Sequence, residues 1–110
     1  METLLVITNL PSRESALRVA EHLVNERLAA CVNLLAECTS VYRWQNAVQR
    51  EPEVPVFIKT RAELYGRVEE AIRALHPYEL PEILAVPLSA GLGAYLDWVA
   101  AETSPPRPGA

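Results

Sequence analysis

The chain has 110 residues, enough for a single domain built around one hydrophobic core. Half of its residues are apolar and 22% are charged, which is typical of a soluble globular protein. The net charge of −4, with ten scattered basic residues of which Lys59 is the only lysine, argues against a nucleic-acid surface. No apolar run reaches the roughly 18 residues of a membrane span. The first residues lack the basic segment and cleavage site of a signal peptide, so we expect a cytoplasmic protein.

The two cysteines, Cys31 and Cys38, are predicted to be free thiols. On one extended strand they would lie about 23 Å apart, whereas a disulfide requires Cα atoms within about 7 Å. Free thiols are expected in a reducing compartment.

The first third of the chain predicts a strand followed by an amphipathic helix. Thr3–Thr8 is a short apolar run typical of a buried strand, and Ser12 is a suitable N-cap. From Arg13 to about Leu28 apolar residues recur at helical spacing. They are Ala16, Leu17, Ala20, Leu23, Val24 and Leu28.

The middle of the chain predicts two long strands joined by a polar turn. Ala30–Trp44 has neither Pro nor Gly and is interpreted as one strand, with a bulge near Glu37. Gln45–Pro52 is polar and predicts a turn, and Glu53–Thr60 is the return strand. Pro55 inside that strand indicates an edge or a bulge.

The last third predicts a helix, a short strand and a final helix. Thr60 and Glu63 match a capping box at the start of a helix that runs to Leu75. Glu82–Leu88 is a short strand, and Gly91 and Gly93 precede a final helix through Tyr95, Leu96, Trp98 and Val99.

This order predicts an α+β fold, the ferredoxin-like split β-α-β sandwich, with a long hairpin between its second and third strands and a C-terminal helix. We expect residues 1–102 to form this domain and residues 103–110, which are rich in proline, to be a disordered tail.

The predicted hairpin is longer than the domain that carries it. A strand of fifteen residues spans about 50 Å, whereas a compact domain of this length has a diameter of about 34 Å. The hairpin also carries apolar residues that need cover: Val41, Tyr42, Trp44, Val54, Val56 and Phe57. The sequence therefore predicts a homo-oligomer in which sister chains supply that cover.

The connector from His76 to Ile83 carries the densest functional chemistry of the chain. Its side chains include an imidazole, a phenol and two carboxylates. Pro77 and Pro81 restrict the backbone around these groups, so the connector should be stiff. A rigid polar connector between a helix and a strand is typical of a functional loop.

Five strings in register give the chain a resemblance to the CutA divalent-cation tolerance proteins. They are residues 26–33, 39–44, 58–60, 76–83 and 95–98. The resemblance implies a ferredoxin-like trimer with interlocking hairpins, similar in outline to PII signalling proteins. It also implies a role in tolerance to copper and other divalent metals, without a catalytic activity or an organic cofactor.

The chain departs from the family pattern at the hairpin and at the metal ligands. Ala36-Glu37, Asn46 and Pro55 replace the family's usual residues in the hairpin. Copper ligation in some members resembles a Cys at the end of the first strand plus two adjacent His. The matching positions here are Thr8, Leu75 and His76.

Two classes of function remain open on the sequence. The first is non-enzymatic binding or signalling at a subunit cleft. Its candidate metal ligands are His76, Glu79 and Cys31, for copper or another divalent cation, and its candidate cleft residues are Tyr78, Glu82, Lys59 and Trp44. The alternative is a small enzyme in which His76 works with Glu79 or Glu82 as acid and base.

Overall fold

The computed structural model describes residues 2–105. The elements alternate as the sequence predicts, but the long second strand is divided in two. The strands are β1 (Thr3–Leu10), β2 (Cys31–Leu34), β3 (Cys38–Trp44), β4 (Ala47–Arg61) and β5 (Ile83–Pro87), and the helices are α1 (Arg13–Asn25), α2 (Tyr65–Leu75) and α3 (Gly93–Glu102).

One antiparallel sheet organises the molecule, in the order β2-β4-β1-β5, with β3 paired to the outer half of β4. Alternate residues of β1 and β4 face α1 and α2 and form the core with them. The buried core includes Val6, Leu10, Ala16, Val19, Leu23, Val54, Val56, Ile58, Val68 and Ile72. The ferredoxin-like sandwich predicted from the sequence is confirmed.

Two strands extend beyond the sandwich as a two-stranded arm, formed by β3 and residues 47–53 of β4. The molecule measures 54 × 28 × 23 Å because this arm overhangs the core. Residues 47–52, predicted as part of a turn, are strand, because β3 pairs with them along its whole length. The turn is only Gln45 and Asn46, both at positive φ, as a two-residue hairpin requires.

The predicted strand Ala30–Trp44 is interrupted at residues 35–37, so the single-strand interpretation is wrong but the bulge near Glu37 is confirmed. Three residues there face only Val54 and Pro55, because β2 pairing ends at Val56 and β3 pairing starts at Glu53. Pro55 lacks an N–H, and its carbonyl accepts a hydrogen bond from the Leu35 N–H at 2.9 Å.

The predicted hairpin contributes less uncovered apolar surface than expected, because Val54 and Val56 lie beyond the arm and are buried in the chain's own core. On α1, more apolar surface is exposed than the sequence predicted. Leu17 and Val24, predicted to lie on the buried face of the helix, are exposed, whereas Val19 is buried.

The predicted capping box at Thr60 is wrong. Thr60 lies in β4 with its side chain fully buried, and its hydroxyl donates to the Leu28 carbonyl at 2.7 Å. The chain then passes through a short 3-10 turn at Ala62–Leu64 before α2 begins. A capping hydroxyl must sit outside its helix, whereas tertiary packing draws this one into the sheet.

The end of α3 is fixed by two arginines. Arg61 donates to the Thr103 hydroxyl at 3.0 Å and to its carbonyl at 2.8 Å. Arg27 donates to the Ser104 carbonyl at 3.3 Å. The first two residues of the tail predicted for residues 103–110 make these contacts, and its last five residues lie outside the described residues.

Candidate functional site: a cleft between the arm and the α2–β5 linker

His76 ends α2 and anchors the linker that follows. Pro77 forces the residue before it out of the helical region, and His76 is extended at φ −76° and ψ 132°. Its side chain is buried, with 8% of the residue exposed. The Nε2 atom lies 2.6 Å from the Asn9 carbonyl, and Nδ1 accepts from the Tyr78 N–H at 3.2 Å. Because Nδ1 is the acceptor, Nε2 carries the proton and donates.

The imidazole is held in its neutral form. Burial lowers the pKa of His76, and this effect outweighs the Asn9 carbonyl and the Glu53 carboxylate, which raise it. Both ring nitrogens are used within the chain, so His76 ties the linker to the end of β1.

A cleft of about 670 Å³ opens between the arm and the linker. Three of its lining residues are carboxylates, three are large aromatic residues, and Arg43 is the one basic residue among them. The lining consists of Asn9, Ser40, Val41, Tyr42, Arg43, Trp44, Glu53, Pro77, Tyr78, Glu79, Leu80 and Glu82. The cleft is therefore acidic and partly aromatic.

Tyr78 forms the wall between the arm and His76. Its ring centroid lies 4.8 Å from that of His76. Burial, followed by the Glu53 carboxylate beside it, raises the pKa of Tyr78 to about 12, so the phenol stays protonated at neutral pH. On the other side, the Asn9 amide donates to Glu82 Oε2 at 3.3 Å and orients that carboxylate.

The structure brings together four of the residues predicted from sequence. Trp44, Tyr78, Glu79 and Glu82 all line the cleft, and His76 supports it from below.

Cys31 and Lys59 lie elsewhere, opposite each other on β2 and β4. The Lys59 ammonium and the Cys31 thiol both donate to the Asn33 side-chain oxygen, the thiol at 3.9 Å. Burial, with the nearby Cys31, raises the pKa of Tyr95. This group is separate from the cleft.

Sequence reasoning missed Glu53, the buried carboxylate of the cleft, which it took only as the start of a strand. A charge directly before the apolar run Val54–Ile58 was the available signal, since charged residues are rarely buried without a purpose.

The copper ligands that the family resemblance suggests do not fit this chain. Thr8 supplies a buried hydroxyl, Leu75 a hydrocarbon, and His76 an imidazole with both nitrogens used. Copper favours several thiolate or imidazole donors together. Within residues 2–105, no group of three His, Cys, Asp or Glu side chains is placed to hold a metal ion.

The fold and the cleft define a ferredoxin-like sandwich with an extended arm, and comparison with known proteins identifies its family. The family described as CutA1 divalent ion tolerance protein matches residues 4–102. The chain therefore belongs to the CutA1 family.

Individual relatives and solved structures point to the same family. The divalent-cation tolerance protein CutA of Thermus thermophilus is 45% identical over 103 residues, covering 94% of this chain and 99% of the relative. The chloroplastic CutA protein of Arabidopsis thaliana is 38% identical, covering 88% of this chain and 53% of the relative. The crystal structure of CutA from Xylella fastidiosa superposes with a TM-score of 0.92 at 39% identity, covering 94% of this chain and all of that one (100%).

The described helices include none long and apolar enough to cross a membrane.

Proposed function

We propose that this protein is a non-enzymatic homotrimer that serves divalent-cation tolerance by binding a cationic ligand in the cleft between the arm and the linker. The observation that carries the proposal is the cleft itself, which gathers Glu53, Glu79 and Glu82 with only one basic residue. Such an excess of carboxylates attracts positive charge.

One face of the arm supports the proposed assembly. Residues directly opposite each other in the register share a face, so Val41, Arg43, Val48 and Arg50 lie on the face away from Glu53, although Val41 and Arg43 also border the cleft. Val41 is 62% exposed and Val48 is 65% exposed. We propose that this face, with its two exposed valines and two arginines, packs on a sister copy.

The outer face of the sheet supplies a matching surface. Leu84 and Val86 of β5 are 56% and 46% exposed and point to the same side of that strand. Exposed aliphatic patches of this kind mark interfaces, and packing an arm on a neighbour's sheet joins different surfaces. Contacts of that type close into rings such as trimers.

The acid–base alternative is not supported by the position of the imidazole. An acid–base catalyst must offer a ring nitrogen to its substrate, whereas His76 spends both nitrogens on Asn9 and Tyr78. Glu79 and Glu82 line the cleft without a hydrogen bond to that ring among the described residues.

We also propose the cytoplasm, or another reducing compartment, as the location. Cys31 and Cys38 are both free, which is the usual state of thiols in such compartments. The Arabidopsis relative is named as a chloroplastic protein, and that location belongs to the relative alone.

Light scattering tests the assembly. The wild-type chain should show about three times its monomer mass of 12.2 kDa. Val48→Asp should shift the mass towards the monomer, because it buries a charge in the proposed interface. Ala74→Asp, on the exposed side of α2, should leave the mass unchanged. A wild-type monomer at micromolar concentration would refute the trimer.

Calorimetric titration with Cu²⁺ tests the role of the imidazole. The wild type and His76→Gln should give the same isotherm, because the ring offers no free nitrogen. Loss of Cu²⁺ binding only in His76→Gln would restore the histidine as a metal ligand.

A further inference from the structure

The most buried charge of the cleft has no cationic partner in the part of the chain that the structure describes. Glu53 is 8% exposed, and none of the salt bridges among residues 2–105 includes it. Its neighbour Tyr78 is a neutral phenol with a pKa of about 12, so it can donate a hydrogen bond but cannot balance the charge. A buried carboxylate is costly unless a positive charge accompanies it.

Aromatic residues share the face of the arm that carries this carboxylate. In the register of the arm, Glu53 faces Cys38, Tyr42 faces Gln49 and Trp44 faces Ala47, so Glu53, Tyr42 and Trp44 point to the same side. Tyr78 adds a third ring from the linker. Aromatic faces attract cations, most strongly where water is excluded.

The donor set and the size of the cleft disfavour a bare metal ion. Divalent cations require several oxygen, nitrogen or sulfur ligands at distances of about 2.0–2.6 Å. No group of three His, Cys, Asp or Glu side chains among the described residues is placed to hold a metal ion. A volume of about 670 Å³ is that of a small-molecule site.

We infer that the cleft binds a small organic cation, a primary ammonium or guanidinium group on a short carbon chain. The cationic head pairs with Glu53 beside Tyr78, and the carbon chain extends along the face of the arm that carries Tyr42 and Trp44. Because Glu79 and Glu82 line the linker side, a ligand with a second cationic group binds more tightly than one with a single group. The inference rests on the proposed function, since it names the ligand class of the same cleft.

Calorimetry on the purified full chain tests the ligand class with four probes: butylamine, agmatine, the neutral analogue butylurea, and Zn²⁺ alone. Agmatine, which carries an ammonium and a guanidinium, should bind most tightly, followed by butylamine, and butylurea should not bind. Glu53→Gln should weaken agmatine at least about tenfold, since hydrogen bonds to charged groups contribute about 1.5–3 kcal/mol. Tyr78→Leu should weaken it about threefold, because it removes the ring beside Glu53.

Glu70→Gln is the matched control, because Glu70 is an exposed carboxylate on α2 away from the cleft. It should leave agmatine binding unchanged, which separates the buried carboxylate from a general effect of net charge.

Four outcomes would overturn the inference. Equal binding of butylurea would show that charge is not recognised. Binding of Zn²⁺ without either amine would leave the proposed function standing and refute the organic ligand, whereas absence of any binding would refute the cleft's function too. If Glu53→Gln instead lowers the assembly mass and no amine binds, Glu53 pairs with an arginine of a neighbouring copy.

Discussion

His76 matches the family pattern in sequence position, but its ring nitrogens are already hydrogen-bonded within the chain. It stands where the family pattern suggests a metal ligand, yet its ring links β1 to the linker through Asn9 and Tyr78. Those two bonds position the Tyr78 wall of the cleft. The structure thus gives the His76 ring a positioning role towards its neighbours.

The titration of His76 predicts a loss of stability in acid. Because its pKa in the folded chain lies below the ordinary value of 6.5, the neutral ring stabilises the fold fully above that value. This contribution is lost as the pH falls through the lowered pKa. Urea unfolding at about pH 7.5 and about pH 5 should therefore show a lower free energy of unfolding in acid.

His76→Gln should remove this part of the pH dependence, because glutamine does not titrate. The matched control is His22→Gln, on exposed α1 surface, which should retain it. An unchanged pH slope in His76→Gln would contradict the assignment.

Two buried threonines predict opposite effects of the same substitution. Thr8 and Thr60 are both 0% exposed, but the Thr8 hydroxyl has no hydrogen-bond partner within residues 2–105, whereas that of Thr60 donates to Leu28. Valine matches threonine in shape. Thr8→Val should therefore raise the free energy of unfolding by about 1 kcal/mol, and Thr60→Val should lower it by about 1 kcal/mol or more.

Chemical denaturation of the two variants against wild type measures this difference. If both substitutions changed stability in the same direction, hydroxyl pairing would not be the deciding factor.

At the scale of elements, the end of α1 shows why the helix stops before Leu28. The Leu28 N–H donates to the Leu23 carbonyl at 2.9 Å and the Arg27 N–H to the Val24 carbonyl at 3.1 Å. This is the Schellman motif, and Arg27 occupies its left-handed position at φ 57°. Glycine is the usual residue there, so the sequence carried no end signal.

Arg27 therefore combines backbone strain with useful side-chain contacts. Arg27→Ala removes the contacts to the end of α3 but leaves a side chain on the strained left-handed backbone, whereas Arg27→Gly removes the contacts and relieves the strain. We expect Arg27→Gly to be more stable than Arg27→Ala by about 1 kcal/mol. Thermal and urea unfolding measure the difference, and equal stabilities would contradict the strain.

The elements that sequence reasoning placed well are those fixed by local pattern. The spacing of apolar residues fixed α2, and Pro77 fixed its end. The errors lie where long-range pairing decides: residues 47–52 are polar but become strand against β3, and Thr60 is drawn into the sheet by Leu28.

At the scale of the whole molecule, the arm is the dominant feature. It gives a molecule 54 Å long and leaves Val41 and Val48 exposed, as the strand length implied. A soluble monomer rarely keeps such a surface uncovered.

Assembly through this surface predicts a melting temperature that depends on concentration. Because association stabilises the folded chain by mass action, the melting temperature should rise between about 1 μM and about 100 μM protein. Val48→Asp should melt lower and lose that dependence. A wild-type melting temperature independent of concentration, with a monomer mass, would contradict assembly.

By itself, the sequence determined the order of elements, the stiff linker and the overlong hairpin, because periodicity, proline and strand length act between near neighbours. Only the tertiary structure decided which polar groups meet. The His76 ring finds the Asn9 carbonyl 67 residues away, and Glu53 reaches Tyr78 only because the arm and the linker converge in space. Whether a charged or polar side chain binds a ligand depends on which partners it already has, and folding of the whole chain sets those partners.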